Sequence, residues 1–373
     1  WAAFNLFFSF FYHPLYSPSE ARYARVSQVM LASGDWLVPR FEGEARLAKP
    51  PLVHWVQCAS MAVMGENEWA VRLPGALATL AAAGAAWWFV RRRRDAITAV
   101  MAATIMLMLP LTLAVGRTGL IDPLLNAFWC WAVVLGYEAY AMGGNRKGAK
   151  PQAAMAAGFW LMVGLAVLAK GPVGWLVVLS LVVWLIVSGR SRALWHWHWP
   201  VGFAASSLPL AAWAWAVYQQ HPEAAATWYN ETIARAEGSG AHPEPWWFYL
   251  PIVVAGFFPA TALLPLPGWT VRWSRIGSGV REGHAMAYMA VAVVVPLVVF
   301  SMMVGKLWTY VLPCGMPLAC IAAWWLRPWL EVTDDSRAID RAHPARRWPN
   351  GTGTLAVAMT VVLGKPAGCG YLY

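Results

Sequence analysis

Charged residues are scarce in this sequence. Asp, Glu, Lys and Arg make up only 12% of its 373 residues, whereas hydrophobic residues make up 59% and the mean hydropathy is +0.48. A soluble globular domain carries about twice that share of charge. The scarcity of charge therefore excludes a soluble globular protein and predicts an integral membrane protein.

Cysteine is also scarce, and its pattern argues against two kinds of site. The chain has five cysteines, an odd number, and four of them lie in apolar sequence without metal-ligating partners at a usable spacing: Cys58, Cys130, Cys314 and Cys320. A disulfide framework or a zinc site would need cysteines in pairs or close to histidine. These four cysteines are predicted to be packing residues.

Long apolar runs recur along the whole chain. Crossing the hydrocarbon core takes a helix of about 20 apolar residues. The sequence therefore predicts an all-α fold, a polytopic membrane helical bundle. The predicted spans lie near 1–12 (cut short), 72–90, 96–115, 121–142, 153–169, 172–188, 200–218, 246–266, 286–304 and 308–326. No signal peptide is readable, and residues 353–373 are interpreted as a truncated further transmembrane segment, so we expect a piece of a longer protein.

The positive charge follows the topology of the loops. Short cytoplasmic loops collect Lys and Arg, and alternate connections of this chain are basic: Arg91 to Arg94, Arg146 to Lys150, Arg190 and Arg192, Arg272 to Arg281, and the proposed cytoplasmic loop 327–352. The net charge of +10 is thereby explained without a nucleic-acid partner. The other connections face outward, and they include the loops 12–71 and 219–245.

The first outer loop contains two helical patterns and an excess of cations. "SPSE" is a capping box in which Ser17 is the cap, Pro18 takes the first helical position and Glu20 follows three residues after the cap. The amphipathic stretch that follows predicts a helix lying in the membrane interface. "KPPLVHWVQCASMAVMG" predicts a second interfacial helix. Because outer loops are normally poor in cations, this loop indicates an anionic ligand.

Five motifs with consistent topology resemble one known group of enzymes. They are "SEARYAR…AKPPLVHWVQ…GENEWAVRLPGAL", "GRTGLIDPLLNAF", "LAKGPVGWLVV", "WYNETIAR…HPEPWWFYLPIVVAGFFPAT" and "GKLWTYVLPCGMPLA". In this order they resemble the C-type (GT-C) membrane glycosyltransferases that use polyprenyl-phosphate sugars, which include the lipid A aminoarabinose transferases and the protein O-mannosyltransferase superfamily. The resemblance covers nearly the whole chain. It implies a GT-C-like module over residues 1–326 in a bacterial plasma (inner) membrane, with the active site facing the periplasm or exterior.

The resemblance implies transfer of a sugar from a polyprenyl-phosphate donor to a lipid, glycan or protein acceptor. Such a site must hold the lipid phosphate and stabilise its charge as it leaves. Lys49 and Arg235 match the family positions taken to bind that phosphate, and Arg22 and Lys170 match other cationic positions near the site. Lys306 is also a candidate for binding the donor, because a cation beside an apolar span carries a high free-energy cost unless it is paired or functional.

The sequence departs from the family at two carboxylates. The family's catalytic Asp is replaced by Ser19, and the Glu that helps to bind a divalent cation is replaced by Ala48. No cofactor is therefore certain, and a divalent cation remains only an alternative.

The candidate catalytic carboxylates are Asp122, Glu20 and Glu231. Each has a structural alternative. Asp122 could be a helix N-terminal acid paired with Arg117. Glu20 could be only the capping-box partner, and Glu231 could form a surface pair with Arg235. The rival functions are a catalytically inactive relative that binds polyprenyl lipid and a transporter.

Overall fold

The fold is almost entirely helical in the part of the chain that the structure describes. A computed structural model describes Phe7, Leu15 and residues 18–141, 153–234, 243–263 and 281–339. Residues 1–326 form one compact unit and residues 327–373 form another. The predicted all-α class is confirmed. Ser17, most of the predicted span 1–12 and the predicted segment 353–373 lie outside the described residues.

The helices and strands of the described residues follow one another along the chain in a single order. They are α1 (Pro18–Ser33), β1 (Arg40–Phe41), β2 (Glu44–Ala45), α2 (Leu52–Met64), α3 (Glu68–Arg91), α4 (Ala96–Met108), α5 (Pro110–Gly116), α6 (Asp122–Gly136), α7 (Ala153–Lys170), α8 (Leu176–Val187), α9 (His198–Gln220), α10 (Ala224–Tyr229), α11 (Tyr249–Gly256), α12 (Ala260–Leu263), α13 (Arg281–Met302) and α14 (Gly315–Ile339). Turns of π-helix follow α6 and α10, and 3₁₀ turns cover Gly171–Trp175, Ser191–Trp195 and Trp308–Cys314.

Five helical stretches of the described residues are long and apolar enough to cross a membrane. Two predicted spans are broken. The span predicted at 96–115 bends by 65° between α4 and α5, where Pro110 supplies no backbone N–H for a continuous helix. The span predicted at 246–266 is divided into α11 and α12 within its described part. Each of these two predicted spans therefore consists of two helices in its described part.

The chain reverses direction between α7 and α8. Gly171 has a φ of +74°, a conformation that side chains other than glycine rarely adopt. A Cβ on Gly174 would lie 2.5 Å from the backbone nitrogen of Val167, so the turn packs directly onto the end of α7. Phe159 of α7 and Leu181 of α8 then both contact the Gly136 position of α6. This turn holds Lys170 at one end of the bundle.

The predicted inner connections that are described lie together at the opposite end. Arg93 forms an ion pair with the buried Glu138, and Arg94 donates to the carbonyl oxygen of Trp324 over 2.9 Å. The described basic connections therefore lie at the end of the bundle opposite Lys170, in agreement with the positive-inside pattern.

The first outer loop is anchored by a buried ion pair between Glu20 of α1 and Arg72 of α3. The guanidinium Nε lies 2.9 Å from Oε1 and Nη2 lies 3.2 Å from Oε2, and the two side chains are only 1% and 4% exposed. Glu20 Oε1 also accepts the backbone N–H of Gly119 over 2.9 Å. Glu20 thus joins α1, α3 and the turn before α6.

Two glycines bring that turn onto α3. A Cβ on Gly119 would lie 2.4 Å from Cγ1 of Val71, and a Cβ on Gly75 would lie 2.5 Å from the carbonyl oxygen of Thr118. Gln57 of α2 donates to the Gly119 carbonyl oxygen over 2.7 Å. The close contact fixes where α6, and therefore Asp122, begins.

Replacing Glu20 tests this anchor. We expect Glu20→Gln to lower the free energy of unfolding by about 3–5 kcal/mol, because it removes the carboxylate that pairs with the buried Arg72 guanidinium. The melting temperature in detergent, followed by tryptophan fluorescence, should fall. The double variant Glu20→Leu, Arg72→Met should recover part of the loss. Glu66→Gln is the control, since Glu66 is an exposed carboxylate of the same loop; equal melting temperatures for Glu20→Gln and Glu66→Gln would contradict the anchor.

Candidate active site

A largely apolar cavity of about 570 Å³ opens at the end of the bundle that carries Lys170. Its walls come from α8, α9 and α13 and from the segments around Lys49 and Glu231. The apolar side chains that line it are Ala48, Pro50, Pro172, Val173, Leu176, Leu210, Trp213, Ala214, Trp228, Ile233, Val299, Phe300 and Met303. A cavity with apolar walls and a few convergent polar groups is the usual form of a small-molecule site.

Lys49 and Glu231 form the first charged pair of the cavity. The Lys49 Nζ lies 2.6 Å from Glu231 Oε2, and the two side chains are 22% and 25% exposed. Lys49 precedes the proline pair that starts α2, whereas Glu231 lies in the π-helical turn after α10. The indole of Trp228 donates to the carbonyl oxygen of Leu47 over 2.9 Å and holds the two segments together.

Lys170 and Asp122 form the second pair. The Lys170 Nζ lies 2.5 Å from Asp122 Oδ1, with the side chains 8% and 12% exposed. The same ammonium lies 4.9 Å from the centroid of the Tyr310 ring, within the range of a cation–π contact. The Arg117 Nε donates to the carbonyl oxygen of Leu113. Asp122 pairs with Lys170, and not with Arg117 as in the structural alternative given for it above.

A polar network beneath α1 supports the cavity's edge. The Ser27 hydroxyl lies 2.9 Å from His54 Nδ1 and 2.7 Å from Gln57 Oε1. His54 stacks on Tyr23 with ring centroids 5.3 Å apart, and the Arg46 guanidinium lies 6.0 Å from the centroid of the Tyr23 ring. These contacts fix α2, and so the Lys49 segment, against α1.

Burial shifts the pKa values of two groups in this network. Burial, with a further contribution from the Arg46 charge, lowers the pKa of His54 from 6.5 to about 3. Burial also raises the pKa of Tyr23 to about 12, and the nearby charges of Asp122 and Glu231 act in the same direction. Both groups are neutral near pH 7, and Tyr23 lies within electrostatic range of Asp122 and Glu231, the carboxylates of the two pairs.

Three other predicted residues that the structure describes do not line the cavity. Glu20 is enclosed by Arg72 and Gly119, Arg22 is half-buried with its guanidinium 5.9 Å from the Phe41 ring centroid, and neither lines the cavity. Lys306 is 3% exposed and donates to the carbonyl oxygens of Glu244 (2.8 Å) and Met303 (2.5 Å). Arg235 lies outside the described residues.

Two residues of the region were not predicted. Tyr310 lines the cavity beside Lys170, and Arg72 neutralises Glu20. A charged residue inside a predicted span was a usable signal for Arg72, because such a charge requires a partner. Tyr310 carried no such signal, since aromatic residues are common at the ends of spans.

The side chains at the family's metal position do not fit a metal ion. Ala48 contributes a methyl group to the cavity wall, and Ser19 is exposed on the first turn of α1. Among the described residues, no three His, Cys, Asp or Glu side chains are grouped so that they could hold a metal ion.

Sequence comparisons agree with the motifs. The profile of the family described as "Dolichyl-phosphate-mannose-protein mannosyltransferase" matches residues 48–215. Among similar proteins is the undecaprenyl phosphate-alpha-4-amino-4-deoxy-L-arabinose arabinosyl transferase of Enterobacter sp. (strain 638), 32% identical over 84% of this chain and 55% of the relative. The protein of the same name from Aeromonas salmonicida is 30% identical over 97% of this chain and 65% of the relative. The chain thus spans between about half and two thirds of these relatives' length.

Solved structures share the fold. ArnT from Cupriavidus metallidurans bound to undecaprenyl phosphate is similar with a TM-score of 0.77 and 24% identity, over 97% of this chain and 62% of that one. The archaeal oligosaccharyltransferase AglB from Archaeoglobus fulgidus is similar with a TM-score of 0.56 and 12% identity, over 97% and 53%. The predicted family resemblance is confirmed, and the apolar helices and bacterial relatives agree with the predicted location in a bacterial inner membrane.

The His54 network predicts a specific dependence of stability on pH. A histidine with a depressed folded pKa stabilises the fold above its unfolded pKa of about 6.5, and this contribution is lost as the pH falls toward 3. Between pH 7 and pH 5 the loss amounts to about 2 kcal/mol. We expect His54→Gln to flatten the decline of melting temperature over this range, measured by tryptophan fluorescence in detergent.

Ser27→Ala is the matched control, because it removes the hydroxyl partner while burial and Arg46 still act on His54. This variant should be less stable at every pH and should keep the slope of the wild type. If His54→Gln has the wild-type slope, the buried neutral His54 is not the source of the pH dependence.

Proposed function

We propose, from the premise that this chain is a relative of the C-type polyprenyl-phosphate-sugar-dependent glycosyltransferases, that it transfers a sugar from a polyprenyl-phosphate donor to a membrane lipid or glycan at the outer face of the membrane. The observation that carries the proposal is the pair of lysine–carboxylate contacts, Lys49 with Glu231 and Lys170 with Asp122, at an apolar cavity. The names of the relatives favour undecaprenyl phosphate as the carrier and 4-amino-4-deoxy-arabinose as the sugar.

The two lysines are suited to receive the donor phosphate. Lys49 is partly exposed within the cavity wall, and its partner Glu231 lies in a short π-helical turn. A phosphate carries more charge than a carboxylate and presents several acceptor oxygens, so it can displace Glu231 from the ammonium. Arg235, four residues after Glu231, is proposed to join Lys49 at the same phosphate. Arg22 and Lys306 are proposed to add positive potential from the cavity's surroundings.

The apolar walls are suited to the lipid part of the donor. Side chains of α8, α9 and α13 enclose the cavity below Lys49, and they include Leu176, Leu210 and Phe300. Burial of isoprenoid surface against such side chains is worth about 25 cal/mol per Å². The cations then fix the phosphate at the mouth while the chain occupies the apolar part.

Asp122 is proposed as the base. When the phosphate draws Lys170 toward it, Asp122 is left to accept a proton from the acceptor hydroxyl. The acceptor oxygen forms a bond to the anomeric carbon, and the bond from that carbon to the phosphate oxygen breaks with its electron pair. The lipid phosphate leaves with its charge stabilised by Lys49 and Lys170, and the hydroxyl proton stays on Asp122. Where the acceptor is a phosphate oxygen that is already ionised, no base is needed.

The division of the chain into segments belongs to the same proposal. Residues 1–326 are proposed to be the membrane-embedded transferase module, 327–352 a cytoplasmic loop and 353–373 a further transmembrane segment. Glu20 is assigned to the support of α1, because its carboxylate is already bound by Arg72 and by the Gly119 N–H. Glu231 is assigned as the counterion that the donor replaces.

Two variants separate donor binding from transfer. We expect Lys49→Met to weaken binding of a polyprenyl phosphate and to lower transfer by about 10²–10³-fold, since it removes a charge that stabilises the leaving group. We expect Asp122→Asn to lower transfer to a hydroxyl acceptor by about 10²–10⁴-fold, the usual contribution of a general base, with donor binding retained. Transfer is measured with a labelled polyprenyl-phosphate sugar and lipid A or lipid-linked glycan acceptors, and binding with the unlabelled carrier lipid.

Exposed residues of the same outer loop provide the controls. Arg25→Met matches the loss of charge in Lys49→Met, and Glu66→Gln matches Asp122→Asn; Arg25 and Glu66 are both exposed and lie outside the cavity. Wild-type binding of the carrier without transfer to any acceptor would favour the inactive lipid-binding relative. Equal transfer by Lys49→Met, Asp122→Asn and their controls would show that the site is elsewhere.

A further inference from the structure

A second groove lies between α7 and α9, away from the charged cavity. Its volume is about 530 Å³, and its lining is almost entirely apolar. The lining includes Ala157, Trp160 and Leu168 on α7, Val201 and Ala205 on α9, and Trp197 immediately before α9. Lys170 and Asp122 lie beyond its outer end and do not line it. The groove is therefore a separate feature of the bundle.

The groove runs along the lengths of α7 and α9 from the predicted inner end of the bundle. Its lining extends from Ala153 to Leu168 on α7, and from Trp197, immediately before α9, to Pro209 on α9. At 1.5 Å per residue the α7 wall is about 22 Å long. This length exceeds the roughly 15 Å depth of one leaflet's hydrocarbon, so the groove can accommodate an acyl chain that enters from the inner surface.

The floor of the groove is closed by close helix packing. A Cβ on Gly202 would lie 2.2 Å from the indole of Trp160, and a Cβ on Gly164 would lie 3.2 Å from the Cα of Ser206. The two helices therefore cannot approach further to fill the groove themselves. Leu161 and Val201, at its rim, are 59% and 55% exposed, as expected for side chains that face lipid.

The inner mouth of the groove is basic and aromatic. The 3₁₀ turn Ser191–Trp195 carries the exposed Arg192 and leads into His196, Trp197 and His198, and the last two line the groove. The Trp199 indole donates to the carbonyl oxygen of Ala193 over 2.9 Å. Trp199 also packs against Trp160 with ring centroids 5.6 Å apart. The turn is thus tied directly to the groove wall.

The exposed tryptophans mark the depth of this mouth. Trp195 and Trp197 are 90% and 63% exposed, and exposed tryptophan is enriched at the level of lipid headgroups. Arg192 is therefore placed at headgroup depth, where an arginine is attracted to anionic lipid. The mouth and the groove together match one phosphate and one acyl chain.

We propose that the groove between α7 and α9 is a binding site for an anionic glycerophospholipid of the inner leaflet, with the headgroup phosphate at Arg192 and one acyl chain against Trp160 and Ala205. The site serves a structural lipid and is independent of the transfer reaction. Two competing outcomes are that polyprenyl phosphate binds in this groove and that a protein helix packs into it.

Native mass spectrometry of the purified protein in detergent tests the proposal. Phosphatidylglycerol and phosphatidylethanolamine are added separately, and the fraction of protein that carries one lipid is measured. We expect phosphatidylglycerol to bind more tightly than phosphatidylethanolamine. Arg192→Ala should reduce this preference about fivefold, the effect of one cation near an anionic headgroup. Arg91 is an exposed arginine of α3 in a predicted inner connection, as Arg192 is, and it does not line the groove. Arg91→Ala should therefore leave the preference unchanged.

Two alanines of α9 test the groove itself. Ala205 lines it and Ala204 does not, although both are exposed neighbours on one helix. Ala205→Phe should abolish retention of phosphatidylglycerol, whereas Ala204→Phe should retain it at the wild-type level. Equal binding of the two lipids, or equal behaviour of Ala204→Phe and Ala205→Phe, would overturn the proposal. Tighter binding of undecaprenyl phosphate that is lost in Ala205→Phe would overturn the assignment to a glycerophospholipid.

Discussion

The structure depends on how it neutralises cations beside hydrocarbon. Lys49 and Lys170 reach a cavity whose walls are mainly apolar, and each ammonium is held within 2.6 Å of a carboxylate oxygen. An unpaired charge at this depth would be costly. The carboxylates therefore keep the two cations in place, and an anionic ligand that replaces a carboxylate at either lysine meets a charge already positioned for it.

The outer loop provides the rigid support that this arrangement requires. Glu20 joins α1 to α3 and to the turn before α6, and Gly119 lets that turn lie directly on α3. Asp122 begins α6 three residues later, while Lys49 precedes α2, which packs on α1 through Ser27 and His54. Both charged pairs are consequently held by one set of buried polar contacts. A loop at a membrane surface can position reactive groups accurately only if such contacts limit its motion.

The sequence predicted the fold class and the charged residues of the site, but it did not predict which residues those charges pair with. Apolar runs and basic loops were sufficient for the membrane bundle, and the motif around Asp122 predicted a carboxylate at the edge of a span. The pairing of Lys49 with Glu231 joins residues 182 positions apart, and no local pattern encodes such a contact. For Glu20, the capping-box spacing predicted a local role within α1. In the structure Glu20 instead forms a tertiary ion pair with Arg72. The bend at Pro110 was visible in the sequence, but hydropathy averaged over a window does not register it.

The central claim is that the donor phosphate takes the place of Glu231 at Lys49. The most direct measurement is the structure of the protein with bound undecaprenyl phosphate in a lipid nanodisc, determined by electron cryomicroscopy. The account predicts phosphate oxygens within about 3 Å of the Lys49 Nζ, at hydrogen-bonding distance, with the Lys49–Glu231 contact opened from its present 2.6 Å. A bound phosphate elsewhere, with the Lys49–Glu231 pair intact, would contradict it.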